Sequence, residues 1–199
     1  MSHDSFRKRA STLEDEFFYR VDLELIEKLK DQQRVEAEEE ALTAATGITD
    51  RGVLEELVEA QITSQSLLAL TLFPAVHVAW ANGFVETTER AAVLKAADQE
   101  GIAEETPSYE LLRVWLKTPP SATLFKAWSD FIHAVQPTLS VSAFRKLHDA
   151  AMIRSRKVAE AAGGILGIGK VSKAEETRLK ELDQVFLDAA AQPVEASKP

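Results

Sequence analysis

No long stretch of this sequence alternates apolar and polar residues, so it offers little material for β-strands; its apolar residues recur at helical spacing instead. Ala, Leu, Glu and Lys dominate, as helices prefer. Hydrophobic residues make up 45% of the 199, enough to bury a core. The expected class is all-α: a helical bundle of about six helices with an N-terminal amphipathic helical arm.

Breakers and caps divide the chain into eight helices. Ser11 and Glu14 have capping-box spacing and should open the first, whose Leu13, Phe17, Val21, Leu25 and Leu29 form a stripe. Beyond Lys30 the stripe fades into DQQRVEAEEEA, a segment that is either exposed on all sides or frayed, and Gly47 ends it. A short helix follows Asp50. Thr63 or Ser64 should cap a third, running to Ala81 with a bend at Pro74. The fourth lies between Asn82-Gly83 and Gly101, and Thr106-Pro107 opens the fifth. Pro119-Pro120 and Pro137 bound the sixth. The seventh runs from near Ser140 to Ala162, where Gly163-Gly164 breaks it, and the eighth begins at Ser172. Trp80, Trp115 and Trp128 sit at apolar spacings and read as core anchors.

This pattern suggests an arm over residues 1–60, a helical domain over 61–190 and a disordered tail over 191–199. An isolated amphipathic helix is unstable until its stripe is covered. The arm should therefore pack on the domain or on another chain, and it is the expected contact for a protein partner or another copy. Charge is uneven: residues 14–60 carry a net −10 and residues 110–160 a net +4. Either these are solvated helix faces, or the acidic arm docks on the basic half.

Composition removes several functions. There are no cysteines, which excludes disulfides, thiolate catalysis and cysteine-ligated metals and fits a reducing compartment. The polar N-terminus lacks an apolar signal core, so a cytoplasmic protein is expected. A net charge of −9 with two tyrosines argues against nucleic acid as partner. The most apolar run, Leu67 to Trp80, is shorter than the roughly 20 residues a membrane span needs. The protein should not span a membrane.

One motif occurs twice. Ala81-Asn82-Gly83-Phe84-Val85-Glu86-Thr87-Thr88-Glu89 and Gly167-Ile168-Gly169-Lys170-Val171-Ser172-Lys173-Ala174-Glu175 both read G-x-V-x-x-x-E, 86 residues apart. Each glycine should take a left-handed conformation closing a helix, and each valine should plug the core. Ser172 with Glu175 makes a capping box. Glu86 is a poorer cap than Ser172, although Glu86 and Glu89 favour a helix start through the macrodipole.

These turns resemble the A-D-G-x-[IV]-x-x-x-E pattern of the tellurite-resistance TerB-like helical domains, a fold shared with the N-terminal region of some membrane-anchored DnaJ-like proteins. The resemblance covers roughly residues 62–190 and not the arm. It implies a regulatory or scaffold module linked to envelope and stress responses. In some members acidic residues of these turns are thought to bind a divalent cation. Carried over, the metal positions are Asn82, Glu86 and Glu89, with Ser172 and Glu175 in the second turn. Where the pattern has Asp, this chain has Asn82 and Ile168. Ile168 cannot ligate, Asn82 offers a neutral carbonyl, and calcium wants six to eight oxygens. The second turn therefore reads as structural, and the first as at most a weak divalent site; no other cofactor is expected.

Enzyme chemistry finds no constellation. Di-iron bundles need E-x-x-H pairs, and only Asp130-x-x-His133 comes near. His133 reads as a core-edge histidine. His77 lacks an acid in the adjacent sequence, and His148 has only its neighbour Asp149, which should point away. GGILGIGK, from Gly163 to Lys170, fits a phosphate loop in its glycines and lysine. It has Val171 where a hydroxyl should hold magnesium, and no strand precedes it. The expectation is a non-enzymatic TerB-like module that binds proteins through its arm. A divalent-metal or tellurite-stress sensor using the Gly83 turn comes next, and an enzyme of unrecognised type last.

Overall fold

A computed structural model describes residues 3–162 and 171–191, with side-chain surroundings from residue 24 onward. The glycine-rich segment 163–170, with Ile168 and Gly169, and the tail 192–199 lie outside the described residues. The described chain is all-helical and contains no strand. Its α-helices are α1 (His3–Thr46), α2 (Arg51–Glu59), α3 (Phe73–Ala79), α4 (Thr87–Gln99), α5 (Pro107–Lys117), α6 (Ala122–Val135), α7 (Val141–Ala162) and α8 (Lys173–Ala191). Two 3₁₀ turns, Leu67–Thr71 and Gln136–Thr138, complete it.

Local chemistry sets most boundaries. Gly47 and Gly101 take φ near +75° and close α1 and α4. Asp50 caps α2 by accepting the Gly52 N–H at 2.9 Å. Thr106 caps α5 through the Tyr109 N–H at 3.2 Å, and Ser121 caps α6 through the Leu124 N–H at 3.1 Å. Ser140 caps α7 through the Ala143 N–H at 3.2 Å.

Three features differ from the sequence reading. α1 starts at His3 and passes through Ser11, so Ser11 and Glu14 are helix-interior residues and not a cap. The segment beyond Lys30 neither frays nor stays exposed all round, because it continues as helix to Thr46 and buries Leu42 completely. Pro74 does not bend a long third helix. It sits in the first turn of α3, after a 3₁₀ turn, where its missing N–H costs nothing. The apolar run is thereby split into two short pieces, and no helix among the described residues is long and apolar enough to cross a membrane.

Seven-residue α3 is the hub. Six of its residues are buried, and α4, α5, α7 and α8 pack around it. Aromatic rings join these helices in series. Phe73 meets Trp115 of α5 at 5.8 Å, edge to face, and Trp128 of α6 at 5.6 Å. Trp128 meets Phe186 of α8 at 5.7 Å, and Phe186 meets Phe144 of α7 at 5.8 Å. Trp80, only half-buried, fixes its ring by donating from Nε1 to the Trp115 carbonyl at 2.8 Å.

The core reaches back past residue 60. Leu42, Ile48, Leu54, Leu57 and Ile62 belong to it, and Glu38 of α1 accepts the Ser64 N–H at 2.6 Å. Residues 24–34 are exposed throughout. Burial along α1 begins after residue 34, and the boundary drawn at residue 60 cuts through the core. A chain starting at residue 31 is expected to keep its cooperative unfolding transition in urea. A chain starting at residue 61 loses three buried leucines, each worth about 2–5 kcal/mol, and should show no cooperative transition.

Candidate functional site

Asn82 of the first repeated turn lies against Ser172 and Glu175, the described end of the second. The first joins α3 to α4, and the second leads into α8. Gly83 has φ +85°, and its N–H bonds the Trp80 carbonyl at 3.0 Å. A Cβ there would meet nothing within 4 Å, so only backbone conformation selects glycine. Val85 and Val171 are half-buried and pack on the core as expected.

Each turn ends in the same bond. The Glu86 N–H donates to Glu89 Oε2 at 2.6 Å, and the Ser172 N–H donates to Glu175 Oε2 at 2.6 Å. Both turns make a capping box, Glu86 with Glu89 in the first and Ser172 with Glu175 in the second, where the Glu175 N–H donates to Ser172 Oγ at 3.2 Å. Asn82 then ties the turns together. Its Nδ2 donates to Glu175 Oε1 at 3.5 Å, and its Oδ1 accepts from Ser172 Oγ at 3.3 Å. Asn82, Glu89, Ser172 and Glu175 thus share one seam, to which Glu86 contributes its backbone N–H.

Both glutamates are only 1% exposed. Glu175 has both oxygens bonded, whereas Glu89 Oε1 is buried without a partner. Burial pushes the Glu89 carboxyl up to about 7. The Glu86 N–H opposes that rise, and the charges of Glu175 and Glu86 add to it.

The seam was half legible in the sequence. The repeat identified the glutamates, but nothing in either segment revealed that they approach each other. As a cation site it is poor in donors. Asn82 and Glu175 already spend their oxygens on protein donors, leaving Glu89 Oε1 free. No group of three or more His, Cys, Asp or Glu suited to a metal occurs among the described residues.

The histidines show what sequence distance conceals. His77 does have an acid: Glu181 of α8, 104 residues away, lies 3.4 Å from its Nε2. Burial and then Arg178, 3.3 Å away, lower the His77 pKa, against the pull of Glu181. The ring packs on Phe125 at 4.8 Å, as a core-edge group does. His148 reaches Asp183 of α8 at 2.7 Å and also its neighbour Asp149 at 3.2 Å, so that adjacent pair does make contact. His133 is bonded to the Ser129 carbonyl at 2.8 Å, one turn back in its own helix.

The seam carries a proton-linked prediction. Between pH 4.5 and about 7 the folded chain holds a proton on Glu89 that the unfolded chain has released. Stability therefore falls as pH rises through that window, by about 3 kcal/mol in all. Glu89→Gln keeps the bond to the Glu86 N–H and removes the charge. Its melting temperature should exceed that of the wild type at pH 8 and match it at pH 4.5; equal shifts at both pH values would show that Glu89 does not titrate in this range. No family model, no curated protein and no solved structure matches the chain.

Proposed function

We propose that this chain is a non-enzymatic, TerB-like helical domain acting as a protein-interaction or scaffold module, with α1 as its docking element. The observation that carries this reading is the outer part of α1. Leu25, Ile26 and Leu29 are 54%, 47% and 50% exposed on α1. Burying such side chains is worth about 1.5–3 kcal/mol each, a driving force the chain does not use within its own described residues. The 44-residue helix extends about 66 Å. The absence of cysteine supports a cytoplasmic setting, and the net charge of −9 supports protein over nucleic acid as partner. A role in stress response follows from the TerB-like resemblance.

The buried, unpartnered Glu89 Oε1 favours a second reading: a weak divalent-cation sensor at the Gly83 turn, with Asn82, Glu86 and Glu89 as its oxygen donors. Titration calorimetry with calcium and magnesium separates the two. Micromolar affinity abolished in Glu89→Gln favours the sensor, and no saturable heat leaves the interaction module.

For the docking role, a photo-reactive residue at exposed Gln33, one turn beyond Leu29, should give a defined adduct in native cells. Leu25→Glu with Leu29→Glu should abolish the adduct while changing stability by less than about 1 kcal/mol, because both positions are exposed. An adduct that survives the double substitution, or none at all, would count against α1 as the docking element.

A further inference from the structure

We propose that the cleft between α1 and α2 is a binding site for an arginine side chain on a basic segment of a protein partner. It sits farther along α1 than the exposed leucines and does not rely on them. One wall is a single face of α1, where Glu36, Glu39, Glu40 and Thr43 follow one another at helical spacings of three and four. The other wall is Arg51 and Leu54 of α2. Between them is an open cleft of about 500 Å³.

The observation that points to a ligand is Glu39. It is only 8% exposed, and its Oε1 is buried with no hydrogen-bond partner. A buried oxygen left unpaired costs free energy, so the fold keeps an acceptor in this wall that it does not itself satisfy. The other oxygen, Oε2, has only a long contact, to Arg51 Nε at 3.5 Å. Arg51 is held more closely by Glu55, at 3.0 Å, and its side chain is 69% exposed. Glu36 and Glu40 are exposed beside Glu39 and make no ion pair among the described residues. Four carboxylates therefore stand around one guanidinium.

The surplus of negative charge extends past the cleft. Residues 31–60 carry nine acidic and two basic side chains. Several of the acids serve the fold: Glu38 accepts the Ser64 N–H, Asp50 caps α2 and Glu56 pairs with Lys126 of α6. Glu36 and Glu40 do none of this.

Charge selects a cation, and geometry selects its kind. A hard metal ion needs several converging oxygens, and no group of three or more His, Cys, Asp or Glu suited to a metal occurs among the described residues. A guanidinium needs fewer. Its planar fork bonds two carboxylate oxygens at once, and its weak hydration suits a partly buried acceptor better than a lysine ammonium does. Thr43, Ala44 and Leu54 offer the cleft's apolar surface to the methylene stem. Arg51 displays the same chemistry from within the chain, with its guanidinium between Glu39 and Glu55. An incoming guanidinium displaces Arg51 toward Glu55 and takes Glu39.

The test titrates isotope-labelled full-length protein with a peptide of three Gly-Arg repeats and follows the backbone amide shifts by NMR. Lysine and citrulline versions of the peptide are the controls. Shifts should centre on Glu39, Thr43, Arg51 and Leu54. The lysine peptide should bind about threefold more weakly, and the uncharged citrulline peptide about tenfold more weakly. Glu39→Gln keeps the shape and removes the charge; it should weaken the arginine peptide by about tenfold and keep a cooperative urea transition. Arg51→Gln removes the competing guanidinium and should tighten binding by about threefold. Glu104→Gln with Glu105→Gln removes two exposed charges outside the cleft and should leave the affinity within about twofold.

Equal binding by Glu39→Gln and the wild type, or shifts spread evenly over the acidic surface, would overturn the site. Equal affinity for the lysine and arginine peptides would reject the guanidinium. Calcium that displaces the peptide where sodium chloride of the same ionic strength does not would give the cleft to a metal ion instead. Leu25→Glu with Leu29→Glu should leave peptide binding unchanged, so failure of this cleft and failure of the outer part of α1 as docking element are read separately.

Discussion

The packing of Phe73 between Trp115 and Trp128 is the interaction on which the rest of this fold depends. Phe73 lies in the first turn of α3 and is completely buried. Its ring ties α3 to α5 at one face and α6 at the other, and the series continues through Phe186 to Phe144. Aromatic pairs in edge-to-face or tilted contact add to the large area each ring buries. The neighbouring proline fixes where α3 can begin. Once that start is set, seven residues of helix fix where it ends, and hence where Gly83 reverses the chain. The position of the seam between the turns therefore follows from the aromatic core and not from the seam's own polar bonds.

The seam shows two ways of burying a carboxylate. Glu175 satisfies both oxygens, using the Ser172 N–H and the Asn82 amide. Glu89 satisfies one and leaves the other without a partner. The asymmetry traces to single residues. Ser172 offers a hydroxyl that bonds both the Glu175 N–H and Asn82, whereas its counterpart Glu86 brings a second negative charge near Glu89. A helix start gains from a carboxylate at its third residue, but a fully buried unpaired oxygen costs more than a cap returns. Taking up a proton near neutrality removes most of that cost, which is why the shift falls on Glu89.

The all-helical class, the helix count and most helix ends were legible because caps, glycines and prolines act on their own neighbours. Asp50, Gly47, Gly101, Thr106 and Ser121 each do locally what their residue type requires. Three kinds of feature were not legible. The start of α1 failed because Ser11 and Glu14 have cap spacing within a helix that simply continues through them. Pro74 failed because a proline inside an apolar run reads equally as a kink or a beginning, and only the burial of Phe73 decides. The pairings Asn82–Glu175, His77–Glu181 and His148–Asp183 failed because they join residues 35 to 104 positions apart. Spacing within one helix carries no information about such pairs.

The same distinction explains how a single helix serves two ends. Toward Thr46, α1 is part of the domain: Leu42 is completely buried and Glu38 holds the backbone of Ser64. Toward residue 24 its residues are exposed and its leucines stand half in solvent. Helix formation is cooperative, so the anchored end supplies the nucleus from which the free end extends at little further cost in order. A free amphipathic peptide would have to fold and bind in one step and would lose affinity to that ordering. Here the domain has already met the nucleation cost. What remains at the outer half of α1 is an apolar line presented on a pre-formed helix, with its direction and phase set by the packing around Leu42.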